Sequence, residues 1–146
     1  SLPFRLPYTY IMYTESITSE LLNPVAFQDD LMAAGLVGLD ITIEEFMLAE
    51  SWGGVYPKLS VQDRIALAIA KERKIVLLTG DMALRKAASK ENVSVLGTIG
   101  VLDKLFSGKY ISRDEYIECL SELQKHNGGE VRLPPTELQK RLDSFQ

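Results

Sequence analysis

Apolar positions along the chain alternate between short continuous runs and longer stretches with helical spacing. The short runs at 8–14, 36–41, 75–78 and 93–96 predict strands, and the last two are apolar enough to predict buried strands. The stretches with helical spacing predict helices at 16–22, 25–34, 42–52, 60–73, 81–92 and 98–106. Strands that alternate with helices of this length predict βαβ units and therefore an α/β fold with a parallel sheet.

Two further helices, at 112–125 and 135–144, follow Gly108 and predict a C-terminal helical tail. We therefore expect an α/β domain over residues 1–107 and a helical extension over 108–146 packed on the same domain. A chain of 146 residues with 46% hydrophobic and 25% charged residues is typical of a globular protein with one sizeable core. Without an apolar run of about 18 residues, no transmembrane helix and no membrane partner are expected.

The rare residue types exclude several kinds of site. The one cysteine, Cys119, cannot form a disulfide within the chain, and the start shows no signal-peptide pattern, so we expect a cytoplasmic protein. The one histidine, His126, argues against a histidine-rich metal site or a Ser-His-Asp centre. Any catalysis must then use carboxylates, hydroxyls or lysines.

Charge is distributed unevenly along the chain, although the net charge is only −4. Residues 58–90 contain eight bases and three acids, a net charge of +5, so the remainder of the chain carries −9. A basic surface around a few isolated acids suits a polyanionic substrate held near a metal ion. The other interpretation is a set of solvated helix faces with no partner.

Asp81 follows the predicted strand 75–78 through Thr79 and Gly80. Ligands of open α/β sheets bind beyond the carboxyl ends of strands, which is where Asp81 is expected. The alternative is that Asp81 only caps the helix that follows, since aspartate is among the preferred N-cap residues.

Asp63 lies in the first turn of its predicted helix, in line with Ala66, Leu67 and Ala70. These apolar residues would let the helix approach the sheet and carry Asp63 inward. The alternative is a capping box, with Ser60 as N-cap and Asp63 three residues later. A cap and a metal ligand are not exclusive.

Glu20, on the helix after the first strand, is the third candidate carboxylate, although alone it would be a solvated surface residue. Carboxylates that converge repel one another, and a hard cation such as Mg²⁺ or Mn²⁺ removes that penalty. The ion can then activate water for the hydrolysis of a phosphodiester.

The chain resembles the PIN domain over about residues 8–106. The resemblance rests on the segments 59–67, 77–81 and 84–85, together with 14–21. PIN domains are metal-dependent ribonucleases with a three-layer α/β/α fold, and many are toxins of prokaryotic toxin–antitoxin pairs. The resemblance implies that Glu20, Asp63 and Asp81 are catalytic metal ligands for Mg²⁺ or Mn²⁺ and that Thr79 is a supporting hydroxyl. It also implies RNA as substrate, an antitoxin protein as a partner and a homodimer.

The chain departs from the PIN pattern at its start. PIN domains carry another catalytic aspartate at the end of a first strand. Here no strand precedes the one predicted at 8–14 and no aspartate precedes Glu15, so we expect the chain to start after that first strand. The leading hypothesis is an endoribonuclease acting on single-stranded RNA, with a toxin role. The second is a non-catalytic PIN-like module that binds RNA or protein. A phosphoryl-receiver domain ranks lower, because no acidic pair follows the first strand.

Overall fold

A computed structural model describes residues 5–8, 10–13, 33–127 and 133–145. Glu20, the predicted helix at 16–22 and most of the predicted helix at 25–34 lie outside these residues. Gly35, the predicted end of the second of these helices, has a φ of 119°, a left-handed conformation that glycine adopts without steric cost.

The described residues form four strands and six helices that alternate as the sequence predicts. The strands are β1 (Ile11–Tyr13), β2 (Val37–Leu39), β3 (Leu77–Leu78) and β4 (Val95–Leu96). The helices are α1 (Ile43–Ser51), α2 (Val61–Arg73), α3 (Met82–Lys90), α4 (Thr98–Ser107), α5 (Arg113–His126) and α6 (Pro135–Asp143). Within the described residues no helix is long and apolar enough to cross a membrane.

Side chains just before the first turn fix the starts of several helices. Ser60 and Asp63 form the predicted capping box of α2. Thr42 with Glu45 and Ser112 with Glu115 form capping boxes of the same kind at α1 and α5. Helix α4 starts without a side-chain cap. Gly97 is the N-cap and makes no side-chain hydrogen bond, so Thr98 is the first residue of the helix.

Both strand pairs are parallel, as the βαβ pattern predicts. Strand β1 pairs with β2, with Ile11 opposite Val37, and β3 pairs with β4, with Leu77 opposite Val95. These short parallel strands among helices confirm the α/β class. The strand predicted at 75–78 is shorter than expected and not fully buried, because only Leu77 faces the core while Val76 and Leu78 are exposed.

The described residues fall into two compact units. The first lies within Pro7–Leu96, and the second comprises Gly97–Gln146 together with Arg5 and Leu6. The packing therefore groups α4 with the two tail helices. The sequence-based division into residues 1–107 and 108–146 concerns domains and stays a prediction.

Helix α2 is the centre of the first unit. It packs against α1, α3, β1 and β3, and its Leu67 and Ala68 are fully buried. The core around it includes Trp52 at the end of α1 and Leu84 and Ala88 of α3. The predicted inward-facing row of apolar residues next to Asp63 is confirmed, since Leu67 and Ala70 are buried and Ala66 packs against the core.

The second unit is a helical assembly of α4, α5 and α6, and its two tail helices confirm the sequence prediction. The Asp103 carboxylate accepts three hydrogen bonds from the Arg141 guanidinium and one, at 2.6 Å, from the Tyr116 hydroxyl. Burial and this contact raise the pKa of Tyr116 to about 12. The Tyr116 ring also stacks on Phe106, with ring centroids 4.4 Å apart, so the three helices are held by one polar and one aromatic contact set.

Candidate functional site

Asp81 lies directly after strand β3 and serves as the N-cap of α3. Its Oδ1 accepts a hydrogen bond from the Ala83 amide at 3.3 Å, and its own amide donates to the Thr79 hydroxyl at 3.1 Å. Thr79 thus supports Asp81 through the backbone, and Gly80 between them is exposed. The carboxylate itself is exposed at the carboxyl end of the strand, where the sequence places it.

Asp63 is the third residue of α2 and completes the predicted capping box. Its amide donates to the Ser60 hydroxyl at 3.1 Å, and its Oδ2 accepts from the Ser60 amide at 3.3 Å. The side chain is half-buried, because the apolar residues that follow it on the same helix face, Ala66, Leu67 and Ala70, lie in or against the core. Both expected caps are therefore present at the two candidate ligands.

The short connection between α2 and β3 indicates that the starts of α2 and α3 lie toward the same side of the first unit. Only residues 74–76 separate α2 from β3, and the two elements pack together, so the helix runs back along the strand direction. A helix of 13 residues is about 20 Å long, so its start lies well toward the end at which β3 terminates. Asp81 begins α3 at that same end.

Each aspartate has one carboxylate oxygen left for a ligand. Among the described residues, no hydrogen bond engages Oδ1 of Asp63 or Oδ2 of Asp81. Two carboxylate oxygens fit a hard cation such as Mg²⁺, which commonly binds one or two carboxylates and completes its octahedral shell with water and phosphate oxygens. The described residues contain no group of three His, Cys, Asp or Glu side chains that could hold a metal, and Glu20 lies outside them.

The eight bases of residues 58–90 separate into two groups. Three of them have partners in the first unit: Lys71 pairs with Glu91 at 2.7 Å, Arg73 pairs with Glu45 at 2.8 Å, and Arg64 donates to the Ala49 carbonyl. The other five are exposed and form no ion pair with a residue that the structure describes: Lys58, Lys74, Arg85, Lys86 and Lys90. The positive charge of this second group is not neutralised by a described carboxylate, which favours its contact with a polyanion.

Two acids that the sequence did not connect with these bases anchor Lys71 and Arg73. Glu45 is 2% exposed, and the hydrogen bonds from Arg73 hold the pKa of its carboxyl below the usual range. Glu91 accepts from Lys71 and from the Tyr56 hydroxyl, and these bonds also lower the pKa of its carboxyl. Their partners are 20 to 35 residues away along the chain, so no local spacing indicates them.

Arg64 is half-buried, whereas the other two paired bases, Lys71 and Arg73, are exposed. Its guanidinium lies over Gly53, where an added Cβ would come within 2.8 Å of Nη1. Its Nε is buried and has no hydrogen-bond partner among the described residues. Arg64 therefore packs against the end of α1, where a cation also complements the helix dipole.

The Ser60 cap can be tested separately from the carboxylate beside it. Replacing Ser60 with Ala removes the acceptor of the Asp63 amide, and the free energy of unfolding should fall by about 1 kcal/mol. Urea unfolding followed by circular dichroism measures the change. Ser89→Ala is the control, because Ser89 is exposed in α3, and it should change stability by less than about 0.5 kcal/mol. Equal losses for both variants would contradict the capping role.

Comparison with known proteins supplies one match. A family model described as a PIN domain matches residues 7–146. No curated protein and no solved structure matches the chain. The matched range includes all ten described helices and strands and all three candidate carboxylates.

Proposed function

Because the chain belongs to the PIN-domain family, we propose that it is a metal-dependent endoribonuclease that hydrolyses phosphodiester bonds in single-stranded RNA. Members of this family are nuclease-type modules that generally use divalent metal ions. The proposal assigns Glu20, Asp63 and Asp81 as the metal ligands and catalytic residues, with Mg²⁺ or Mn²⁺ as the ion. Glu20 enters from the resemblance alone, since it lies outside the described residues.

The caps at the two helix starts support the proposal most directly: Asp63 and Asp81 are each held in the first turn or at the N-cap of neighbouring helices, and among the described residues one carboxylate oxygen of each accepts no hydrogen bond. Each aspartate is also held by its cap, so its position is fixed before any ligand arrives. In each aspartate the cap bond uses one carboxylate oxygen, and the other oxygen would bind the ion. Capping and metal binding are therefore compatible.

The residues of this chain would position the reacting groups. Asp63 and Asp81 would hold the cation between the two helix starts, and Thr79 would keep the Asp81 backbone in place. The bound ion supplies charge stabilisation at the phosphate and lowers the pKa of water. Exposed cations on α3 would orient the nucleic acid beside Asp81.

The test is cleavage of a fluorescent single-stranded RNA of mixed sequence by the purified chain. Cleavage should require Mg²⁺ or Mn²⁺, stop in EDTA and return when the ion is added in excess. An RNA duplex of the same sequence is the control substrate and should be cleaved more slowly. Cleavage that continues unchanged in EDTA would contradict the proposal.

A non-catalytic module that binds RNA or protein is the second candidate function. The five exposed bases without described partners favour it, because phosphate binding by lysine and arginine needs no metal ion. RNA binding with no metal-dependent turnover would select this candidate. The toxin role, an antitoxin partner, a homodimer and a cytoplasmic location stay predictions from the resemblance and from composition.

A further inference from the structure

Helix α3 presents a basic outer face. Leu84, Ala87 and Ala88 are its buried residues. With 100° per residue, Met82, Arg85, Lys86 and Lys90 lie within an arc of about 140° on the opposite side. All four are exposed, and Met82 keeps 58% of its surface accessible. We call these four residues the α3 basic face.

The cations of this face differ from the other bases of the first unit. Lys71 and Arg73 end in ion pairs, whereas Arg85, Lys86 and Lys90 form no ion pair with a residue that the structure describes. Three like charges within about 7 Å along one helix repel one another, which costs stability unless an anion is present. Their clustering without counter-charges therefore points to an external polyanion.

The α3 basic face begins next to Asp81. The Arg85 amide donates to the Asp81 carbonyl at 3.0 Å, so Arg85 lies one helical turn after the candidate ligand. Lys86 and Lys90 continue from there along the same helix. A chain of phosphates laid along the face would thus lead to the carboxylate.

We propose that the α3 basic face binds the sugar-phosphate backbone of single-stranded RNA and directs the strand toward Asp81. The proposal rests on the proposed function for RNA as the ligand, but it does not require catalysis. Arg85 is suited to bidentate contact with a phosphate, and the two lysines act as point charges. None of these contacts reads a base, so binding should be independent of sequence.

The experiment measures RNA affinity by fluorescence anisotropy in EDTA, where cleavage is stopped. The probe is a fluorescein-labelled 20-nucleotide RNA of mixed sequence, and the triple variant is Arg85→Gln, Lys86→Gln and Lys90→Gln. Each phosphate contact on a single strand contributes about 0.7 to the slope of log K against log salt. The triple variant should therefore lower the slope by about 2 and weaken binding roughly 50-fold at 0.15 M salt.

The control variant carries the same change in net charge elsewhere. Lys104, Lys125 and Lys140 are exposed lysines of the second unit, and their replacement by Gln should leave the slope nearly unchanged. A second, unrelated RNA sequence should lose the same factor with the α3 variant. Equal melting temperatures for both triple variants would show that the loss is not unfolding.

The outcomes separate this inference from the proposed function. If the α3 variant and the control lose affinity equally, or neither does, the α3 basic face is not the binding surface, even if the chain cleaves RNA. If only the α3 variant loses affinity but no metal-dependent cleavage occurs, the inference stands and the proposed catalysis is wrong. Loss confined to one RNA sequence would also overturn the inference.

Discussion

Replacing Asp81 with Asn should reduce metal-dependent RNA cleavage on the order of 1,000-fold, which corresponds to about 4 kcal/mol of transition-state stabilisation. The substitution removes the negative charge that would hold the cation, and little else. Asparagine caps helices as well as aspartate does, so the hydrogen bond from the Ala83 amide can persist. Initial cleavage rates across a Mg²⁺ titration measure the effect, and the half-saturating Mg²⁺ concentration should rise.

Two further measurements make the Asp81 result specific. The melting temperature of Asp81→Asn should stay close to that of the wild type, because the cap is preserved. Asp114→Asn is the matched control: Asp114 is exposed in the first turn of α5, and its loss should leave cleavage within about twofold. Wild-type cleavage by Asp81→Asn would show that Asp81 only caps α3.

Most of the fold was predictable from local patterns. Thr42 with Glu45 and Ser60 with Asp63 mark helix starts through contacts within three residues. Strands were predicted less well, since β3 shrinks to Leu77–Leu78 and exposes neighbours that the apolar run placed in the core. An apolar run gives a segment the tendency to form a strand. Which strand it pairs with, and which residues bury its side chains, depend on distant parts of the chain.

At the candidate site, too, local features were predictable from the sequence and tertiary contacts were not. The cap at Asp63 follows from its three-residue spacing from Ser60, the cap at Asp81 follows from the N-cap preference of aspartate, and the structure contains both. The division of the basic residues did not follow, because the partners of Lys71 and Arg73 are Glu91 and Glu45, which only the tertiary fold brings near. The ligand roles of Glu20, Asp63 and Asp81 remain predictions for the cleavage experiments to decide.

Replacing Arg73 with Met should lower the free energy of unfolding by about 3 kcal/mol at neutral pH. The Arg73 guanidinium donates at 2.8 Å and 3.0 Å to the two oxygens of Glu45 and at 3.2 Å to the Asp40 carbonyl. Methionine keeps part of the packing of the side chain but leaves the nearly inaccessible Glu45 carboxylate without its counter-charge. Urea unfolding of both proteins measures the difference.

The pH dependence of the stability loss in Arg73→Met tests whether the unpaired Glu45 carboxylate causes it. Its pKa is lowered in the folded wild type, so its contribution is complete above the unfolded pKa of about 4.3 and is lost as pH falls through the lower folded value. In Arg73→Met, burial without the guanidinium should instead raise the pKa of Glu45. The stability difference between wild type and variant should therefore be largest near pH 7 and shrink toward pH 4.

The double variant Glu45→Gln with Arg73→Met separates the unpaired charge from lost packing. Glutamine still accepts from the Thr42 amide through its side-chain carbonyl, so the capping box survives while the buried charge disappears. The double variant should recover about 1 to 2 kcal/mol relative to Arg73→Met alone. Arg85→Met, at an exposed arginine, should cost less than about 0.5 kcal/mol. A double variant no more stable than Arg73→Met, with no pH dependence, would mean that the guanidinium acts by packing and not by neutralising Glu45.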